Sequence, residues 1–444
     1  MRSNSFIRQV FKIAVPVALQ CMLQASFSIV DQVMVGSLGS VSIAAVGIAG
    51  KLSTVYGVVI GAVVSVAGIM ISQYLGAKDE AEANRCFSLN ALISLGIGAV
   101  FTAVCVLFPA QLMGLYSEDG DTVKAAASYL RIVAAGFLPY AVGMMVSTRL
   151  RCMEKALLPL IFSIAASVLN TGLNYVLIFG KLGFAAMGAD GAALATIISQ
   201  LVSALLLVFG ASAVDRKRGA AFRFSPALTK MSAGQYLAIF LPVFVLEFMW
   251  SLSENVYASV YGHIGTLECA AMTLTYPIQG LTIGALSGLS QAAGILIGKE
   301  LGKGDFDSAY KKSKRLLLYG LIGSFILAAS VILLMGLYTD IYNVEDFVKK
   351  TARNILIVFA AVSPVKVMNM ILGGGIVKSG GKTRIVMIIE LFGTWGFGVP
   401  LAFLSAYVWK LSISLVYLCL SFEECVRLIL TWIIFIRKKW MQKI

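Results

Sequence analysis

Apolar stretches long enough to cross a bilayer follow one another along the whole chain, separated by short polar breaks. A spanning helix needs about 20 predominantly apolar residues. Twelve stretches meet that length, near residues 10–35, 41–74, 88–112, 124–149, 157–180, 188–213, 233–262, 267–298, 313–338, 350–378, 383–408 and 411–436. The pattern predicts an all-α polytopic membrane protein with twelve transmembrane helices. The basic start "MRSNSFIRQVFKIAVPVALQC" leads into an apolar run longer than a signal peptide's, so it is read as a retained first span.

The breaks between spans orient them. Lysine and arginine in short loops stay on the cytoplasmic side. Counting from a cytoplasmic N-terminus, the inner breaks collect Lys78 and Arg85, Arg149 to Lys155, the link "VDRKRGAAFRFSPALTK" (214–230), Lys299 to Arg315, Lys378 to Arg384, and the final Arg437 to Lys443. The outer breaks are poor in base or acidic, as in "SEDGD" (117–121) and "TDIYNVED" (339–346). Both termini are therefore expected inside, with the protein in the cytoplasmic membrane of a bacterial cell.

Composition narrows the function class. Charged residues are 13 % of the 444 and hydrophobic ones 59 %, whereas soluble domains carry about 25 % charge. The formal charge of +14 is accounted for by loops that face anionic lipid heads, so no nucleic-acid partner is expected. One histidine and seven cysteines without paired spacing argue against a disulfide scaffold or a structural metal centre. No HExxH or Ser/His set marks an enzyme, and no cofactor is expected.

The chain also repeats itself. "AVPVALQCMLQASFSIVDQVMVGSLGSVSIAAVG" (14–47) aligns without a gap on "FLPVFVLEFMWSLSENVYASVYGHIGTLECAAMT" (240–273), pairing Pro16 with Pro242, Gly36 with Gly262 and Gly39 with Gly265, an interval of 226. The same interval pairs Gly68 with Gly294, Gly76 with Gly302 and Asp79 with Asp305. Each half holds six spans, an even number, so both insert the same way up. The expected architecture is two six-helix bundles, 1–213 and 231–444, joined by the cytoplasmic link 214–230. A pseudo-two-fold along the membrane normal would relate them, as in some secondary transporters, and a cleft between the halves would open to either face.

Polar residues inside spans mark where such a cleft would be lined. Gln20, Gln24, Ser28 and Asp31 fall on one face of the first helix. The equivalent helix of the second half carries Glu247, Trp250, Ser251, Glu254 and Tyr261, with Tyr257 in the position of Asp31. A polar stripe at membrane depth must face protein or water, and intramembrane acids tend to mark ion or substrate paths. Asp31, Glu247 and Glu254 are therefore site candidates. Lys51 and Lys366 are each read either as a cavity cation or as a side chain snorkelling outward. Glu390 is a weaker candidate, and Glu423, Glu424 and Arg427 are read as a structural trio containing one i,i+4 pair.

With these residues placed, the chain resembles the multidrug and toxic compound extrusion (MATE) family of secondary transporters. The matching pieces are "IVDQVMVGSLG" (29–39), "ISQYLGAKDEAEA" (71–83), "LNTGLNYVLIFGKLGFAAMGADGAALATIISQ" (169–200), "VKSGGKTRIVM" (377–387) and "SFEECVRLILTWIIFIRKKW" (421–440). The resemblance implies that Asp31 holds the coupling ion, Na⁺ or H⁺, with Asn170 and Asn174 beside it. It is Asp31 that would ligate sodium. Family members of one branch carry acids on the seventh and tenth helices. Here Glu247 and Glu254 flank the first of those positions, while the tenth helix offers Lys366 and Asn369 in place of an acid.

The expected function is export of small amphipathic organic cations by an ion-driven antiporter acting as a monomer. An acidic cleft with Trp250, Tyr257 and Tyr261 would suit such cargo through charge and cation–π attraction. The rival reading is a flippase for lipid-linked saccharides, whose anionic headgroups would favour Lys51 and Lys366 as cavity cations.

Overall fold

The computed structural model describes residues 2–217, 231–342 and 344–443, less the side chains at 2–5, 28, 29, 32 and 40. Among these residues there is no strand, and twelve long helices carry the chain. They are α1 (Arg2–Gly36), α2 (Ser40–Gly76), α3 (Glu80–Leu107), α4 (Gly120–Cys152), α5 (Leu157–Phe179) and α6 (Gly188–Lys217). The second half supplies α7 (Ala233–Ile264), α8 (Thr266–Gly302), α9 (Phe306–Asp340), α10 (Asp346–Val377), α11 (Thr383–Val408) and α12 (Ile413–Ile436). Eleven are apolar enough to cross a membrane by length and composition. The exception is α12, whose 24 residues suffice in length but hold Glu423, Glu424 and Arg427 at their middle.

The helices outrun their apolar stretches, and capping explains how. α9 begins at Phe306, ahead of the expected 313, because the Asp305 side chain accepts from Ser308 N at 2.9 Å. α4 begins at Gly120, where Asp119 accepts from Thr122 N at 3.1 Å. Each cap satisfies an otherwise orphaned amide of the first turn. In the opposite sense, α3 stops at Leu107 although apolar residues continue to 112. Pro109 cannot donate to the ladder, and it opens a separate short helix, Pro109–Gly114.

The repeat is written into the helix boundaries. Ser40 and Thr266, Glu80 and Phe306, Gly120 and Asp346, and Leu157 and Thr383 are helix starts separated by 226 residues each; the sixth pair, Gly188 and Ile413, slips by one, and the first, Arg2 and Ala233, by five. Even the left-handed turn after the second helix recurs, at Lys78 (φ 63) and Gly304 (φ 78).

Contacts gather the chain into two compact units: residues 1–22, 72–79 and 232–444 form the first, and 23–71 with 80–231 the second. The sequence repeat assigns 1–22 and 72–79 to the first half, yet their packing is with second-half helices. The basic link 214–230 lies outside the described residues from 218 on.

Glycines explain the early segments' place. In the first unit α1 approaches α8 so closely that a Cβ on Gly288 would run into the Ala14 carbonyl. The end of α2 meets the end of α8 reciprocally: a Cβ on Gly76 would strike the Lys299 carbonyl, and one on Gly302 the Gln73 carbonyl. Lys299 and Gln73 are themselves repeat partners, as are Gly76 and Gly302. Between them Gly298 packs on Ser72, its own repeat partner. Such a contact, with i on j and j on i, is what a two-fold produces. Because the obstacle is backbone, Gly302→Ala is expected to lower stability by about 1–3 kcal/mol. Thermal unfolding of purified protein checks this, and an unchanged Tm would show that the crossing is loose.

Candidate functional site

Asp31 anchors a polar cluster in the second unit. On α5, Asn170 and Asn174 are four residues apart and so share a face, and that face meets Asp31 of α1. Asn174 Nδ2 donates to Asp31 Oδ1 at 2.7 Å. The Asn170 amide, with its nitrogen toward the carboxylate as the surrounding donors and acceptors require, donates to Oδ1 at 3.0 Å and to Oδ2 at 3.3 Å. One turn further along the same helices, Val35, Ile178 and Ala192 form an apolar cluster with Leu38, Val46 and Tyr129 packed against it. Tyr129 is also near enough to Asp31 to feel its charge.

One residue of this cluster keeps a spare oxygen. Asn174 Oδ1 and Thr171 Oγ1, three residues apart on α5, are buried without a hydrogen-bond partner. Orphaned buried acceptors are rare and call for an explanation. A carboxylate with neutral amide and hydroxyl oxygens is the donor chemistry of a hard cation. Among the described residues no group of three or more His, Cys, Asp or Glu side chains is arranged so that it could hold a metal ion. One negative charge with neutral oxygens suits a proton or a monovalent cation better than a divalent one.

Gln20 and Gln24 of the first-helix stripe do not join this cluster. The division between the two units falls between Met22 and Leu23. Gln20 is buried in the first unit and Gln24 is exposed, while the Ser28 side chain lies outside the described residues. Lys51 is exposed on α2. Helical spacing put these residues on one face correctly, but a helix of 35 residues that belongs to two packing units has no single environment along that face.

A larger site lies within the first unit, a cavity of about 550 Å³, within the usual range for small-molecule pockets. From α7 it takes Glu247, Trp250, Glu254 and Tyr261 of the stripe read from the sequence, together with Tyr257, while Ser251 of that stripe is not among its lining residues. Lys366 and Asn369 of α10 face it, with Lys378 just beyond that helix's end. It also takes Glu390 of α11 and Tyr417, Glu423, Glu424 and Arg427 of α12. Five carboxylates and three cations thus share one space.

Most of these charges are already matched. Arg427 forks among three acids: it bonds Glu390 through Nη1 and, through Nη2, meets Glu423 at 2.5 Å and Glu424 at 3.1 Å. Tyr257 donates to Glu423 at 2.7 Å, and Asn369 Nδ2 donates to Glu424 Oε2 at 2.8 Å. Lys378 reaches Glu247 at 3.5 Å. The run "GTWGFG" of α11 makes room for this network, because a Cβ on Gly393 would collide with the Arg427 side chain and one on Gly398 with Glu423 and Tyr257. α10 and α11 widen to π-helical turns at Met370–Val377, whose Met370 and Gly374 line the cavity, and at Thr394–Gly398, whose Gly398 packs on Glu423 and Tyr257, a distortion frequent at functional sites.

The trio on α12 was read as structural, yet all three members line the cavity. Their depth at mid-helix was the signal that could have placed them there.

The MatE family model matches the chain twice, over residues 16–176 and 242–404, and the two matches begin one repeat interval apart. The "Probable multidrug resistance protein NorM" of Thermotoga maritima is 23 % identical, covering 98 % of this chain and 93 % of its own. The "Uncharacterized transporter YisQ" of Bacillus subtilis is 25 % identical, covering 98 % and 95 %. A mutant of the Vibrio cholerae MATE transporter VcmN has the same fold, with a TM-score of 0.87 at 19 % identity over 98 % of this chain and 97 % of that one.

Proposed function

Since the chain belongs to the MatE family of membrane transporters, we propose that it exports amphipathic organic cations across the cytoplasmic membrane, driven by entry of Na⁺ or H⁺. The observation that carries the reading is Asp31, an acid within a spanning helix, held by the amides of Asn170 and Asn174, the latter keeping an unpartnered oxygen. An isolated carboxylate at that depth is costly. Neutralising it, by a proton or a bound cation, lowers the cost of enclosing it. Two states that differ in whether Asp31 is enclosed then differ in ion affinity, and the ion gradient shifts their populations. Alternation between those states moves cargo one way as the ion moves the other.

The cargo class follows from the larger cavity. Five carboxylates against three cations leave it negative when all are ionised, and half-exposed Trp250 offers an aromatic face. A lipid-linked saccharide with a pyrophosphate headgroup is a poorer match, because Lys366 would receive it amid five acids. The test is flux of a fluorescent organic cation in proteoliposomes under an imposed Na⁺ or H⁺ gradient, each applied alone. Accumulation against the dye's own gradient under one of them is expected. Equilibration alone, under both, would sink the proposal.

Two further results are expected. Glu254→Gln should reduce uptake of a cationic dye more than Glu247→Gln does, because Glu247 is already engaged by Lys378. Initial rates at subsaturating dye check this, and equal losses would mean that the internal pair does not shield Glu247. Cysteines placed in 214–230 should resist a membrane-impermeant thiol reagent in intact cells and react after lysis. Labelling in intact cells would reverse the orientation read from the loops.

A further inference from the structure

Pairing off the charges of the large cavity leaves two over. Arg427 is taken by Glu390, Glu423 and Glu424, and Lys378 by Glu247. Lys366 and Glu254 then stand without a hydrogen bond or ion pair among the described residues, and both face the cavity. Lys366 projects from the middle of a spanning helix, two residues after Pro364. Protein encloses it on every side except the cavity's, and its neighbours Tyr417, Glu424 and Glu254 act on it electrostatically without touching it. A snorkelling lysine would carry its ammonium to the membrane surface, and this one does not. Glu254 opens to the cavity near the rings of Tyr257, Tyr261 and Tyr276.

A deep ammonium without a partner is costly. One that opens into a small-molecule cavity is positioned to receive an anionic group, while an acid ringed by aromatics receives a cation. We propose that Lys366 binds a carboxylate or similar anionic group of the cargo, so that the molecules this cavity holds best are amphoteric, with an ammonium or other organic cation seated at Glu254 and an acid seated at Lys366. The assignment rests on the exporter reading and narrows it from organic cations at large to those that also bear an acid. It accounts for a lysine inside an otherwise acidic cavity, where a site for simple cations would be better served by a neutral side chain.

The experiment uses the full-length protein in lipid nanodiscs and two probes: a styrylpyridinium dye with a terminal carboxylate, and the ethyl ester of the same dye. Both keep a permanent cation and an extended aromatic body, and they differ in the acid alone. Fluorescence polarisation should show the wild-type protein binding the acid about tenfold more tightly than the ester, the scale of one charge-assisted hydrogen bond. Lys366→Met should abolish the acid's advantage, weakening the acid and leaving the ester bound at least as tightly as before. Lys366→Arg should keep the preference, and Glu254→Gln should weaken both dyes alike. A wild-type protein that binds both dyes equally, or prefers the ester, overturns the assignment whether or not any variant folds. So does an acid preference that survives in Lys366→Met, which would make Lys366 a counter-ion of Glu424 and Glu254. Failure of the exporter reading looks different: the dyes bind with the stated preference, yet neither is concentrated under either gradient.

Discussion

Replacing Asp31 with asparagine is expected to reduce gradient-driven export to the leak of empty liposomes while leaving the protein folded and inserted. Asparagine has nearly the shape of aspartate. An amide carbonyl at this position can still accept from Asn174, whose nitrogen now lies 2.7 Å from Asp31 Oδ1. The Asn170 amide, at 3.0 Å and 3.3 Å from the two carboxylate oxygens, can turn to meet the new amide nitrogen. The loss in stability should stay near 1 kcal/mol, the worth of a typical hydrogen bond. What disappears is the exchangeable charge. The site would enclose a neutral group in every state, and the ion gradient would have nothing to act on. Dye flux under the driving gradient and thermal unfolding, measured on the same preparation, separate the two effects. If Asp31→Asn still concentrates dye, Asp31 is a structural acid and coupling lies elsewhere.

The second large effect is on stability. Arg427 is the single cation shared by Glu390, Glu423 and Glu424. Arg427→Met keeps much of the side-chain volume and removes the charge, leaving three close carboxylates with no counter-ion between them. Breaking a buried pair by deleting one partner costs about 3–5 kcal/mol, and the loss here should reach the upper part of that range. Arg427→Lys should recover only part of it, because a lysine ammonium lacks the planar fork that reaches three acids at once. Adding Glu423→Gln to Arg427→Met should restore some stability by removing one of the stranded charges, a non-additivity that a double-mutant cycle reads directly. A marginal change in Tm for Arg427→Met would mean that the acids are neutral or water-solvated in the native protein.

Hydropathy reports burial in lipid, so all twelve spans were legible from the chain. It is silent about where a helix ends beyond the membrane, and for that reason α4 and α9 begin earlier than their apolar stretches, at turns capped by Asp119 and Asp305. The α7 stripe from Glu247 to Tyr261 was legible because helical spacing alone gathers it on one face. The same logic goes less far at Gln20 and Gln24, since periodicity says which residues share a face and nothing of what the face meets. Arg427 shows the converse limit. Its i,i+4 partner Glu423 made the pair look locally satisfied, but Glu390, 37 residues away, converges on the same guanidinium only through tertiary packing. Lys378 likewise reads as one more loop base until Glu247 is found within reach. The association of Asp31 with Asn170 and Asn174 was implied by family resemblance alone, because no spacing rule connects residues 143 apart.

The reciprocal glycine crossing carries a historical implication. Gln73 and Gly76 belong to the first half, and Lys299 and Gly302 are their counterparts in the second, so each half brings both a glycine and the backbone that another glycine needs. A polypeptide consisting of one half alone would therefore possess a self-complementary patch able to meet a second copy of itself. The seam thus has the form of one between two copies of a single half, and the space left for each glycine is set by the helix end that carries the other.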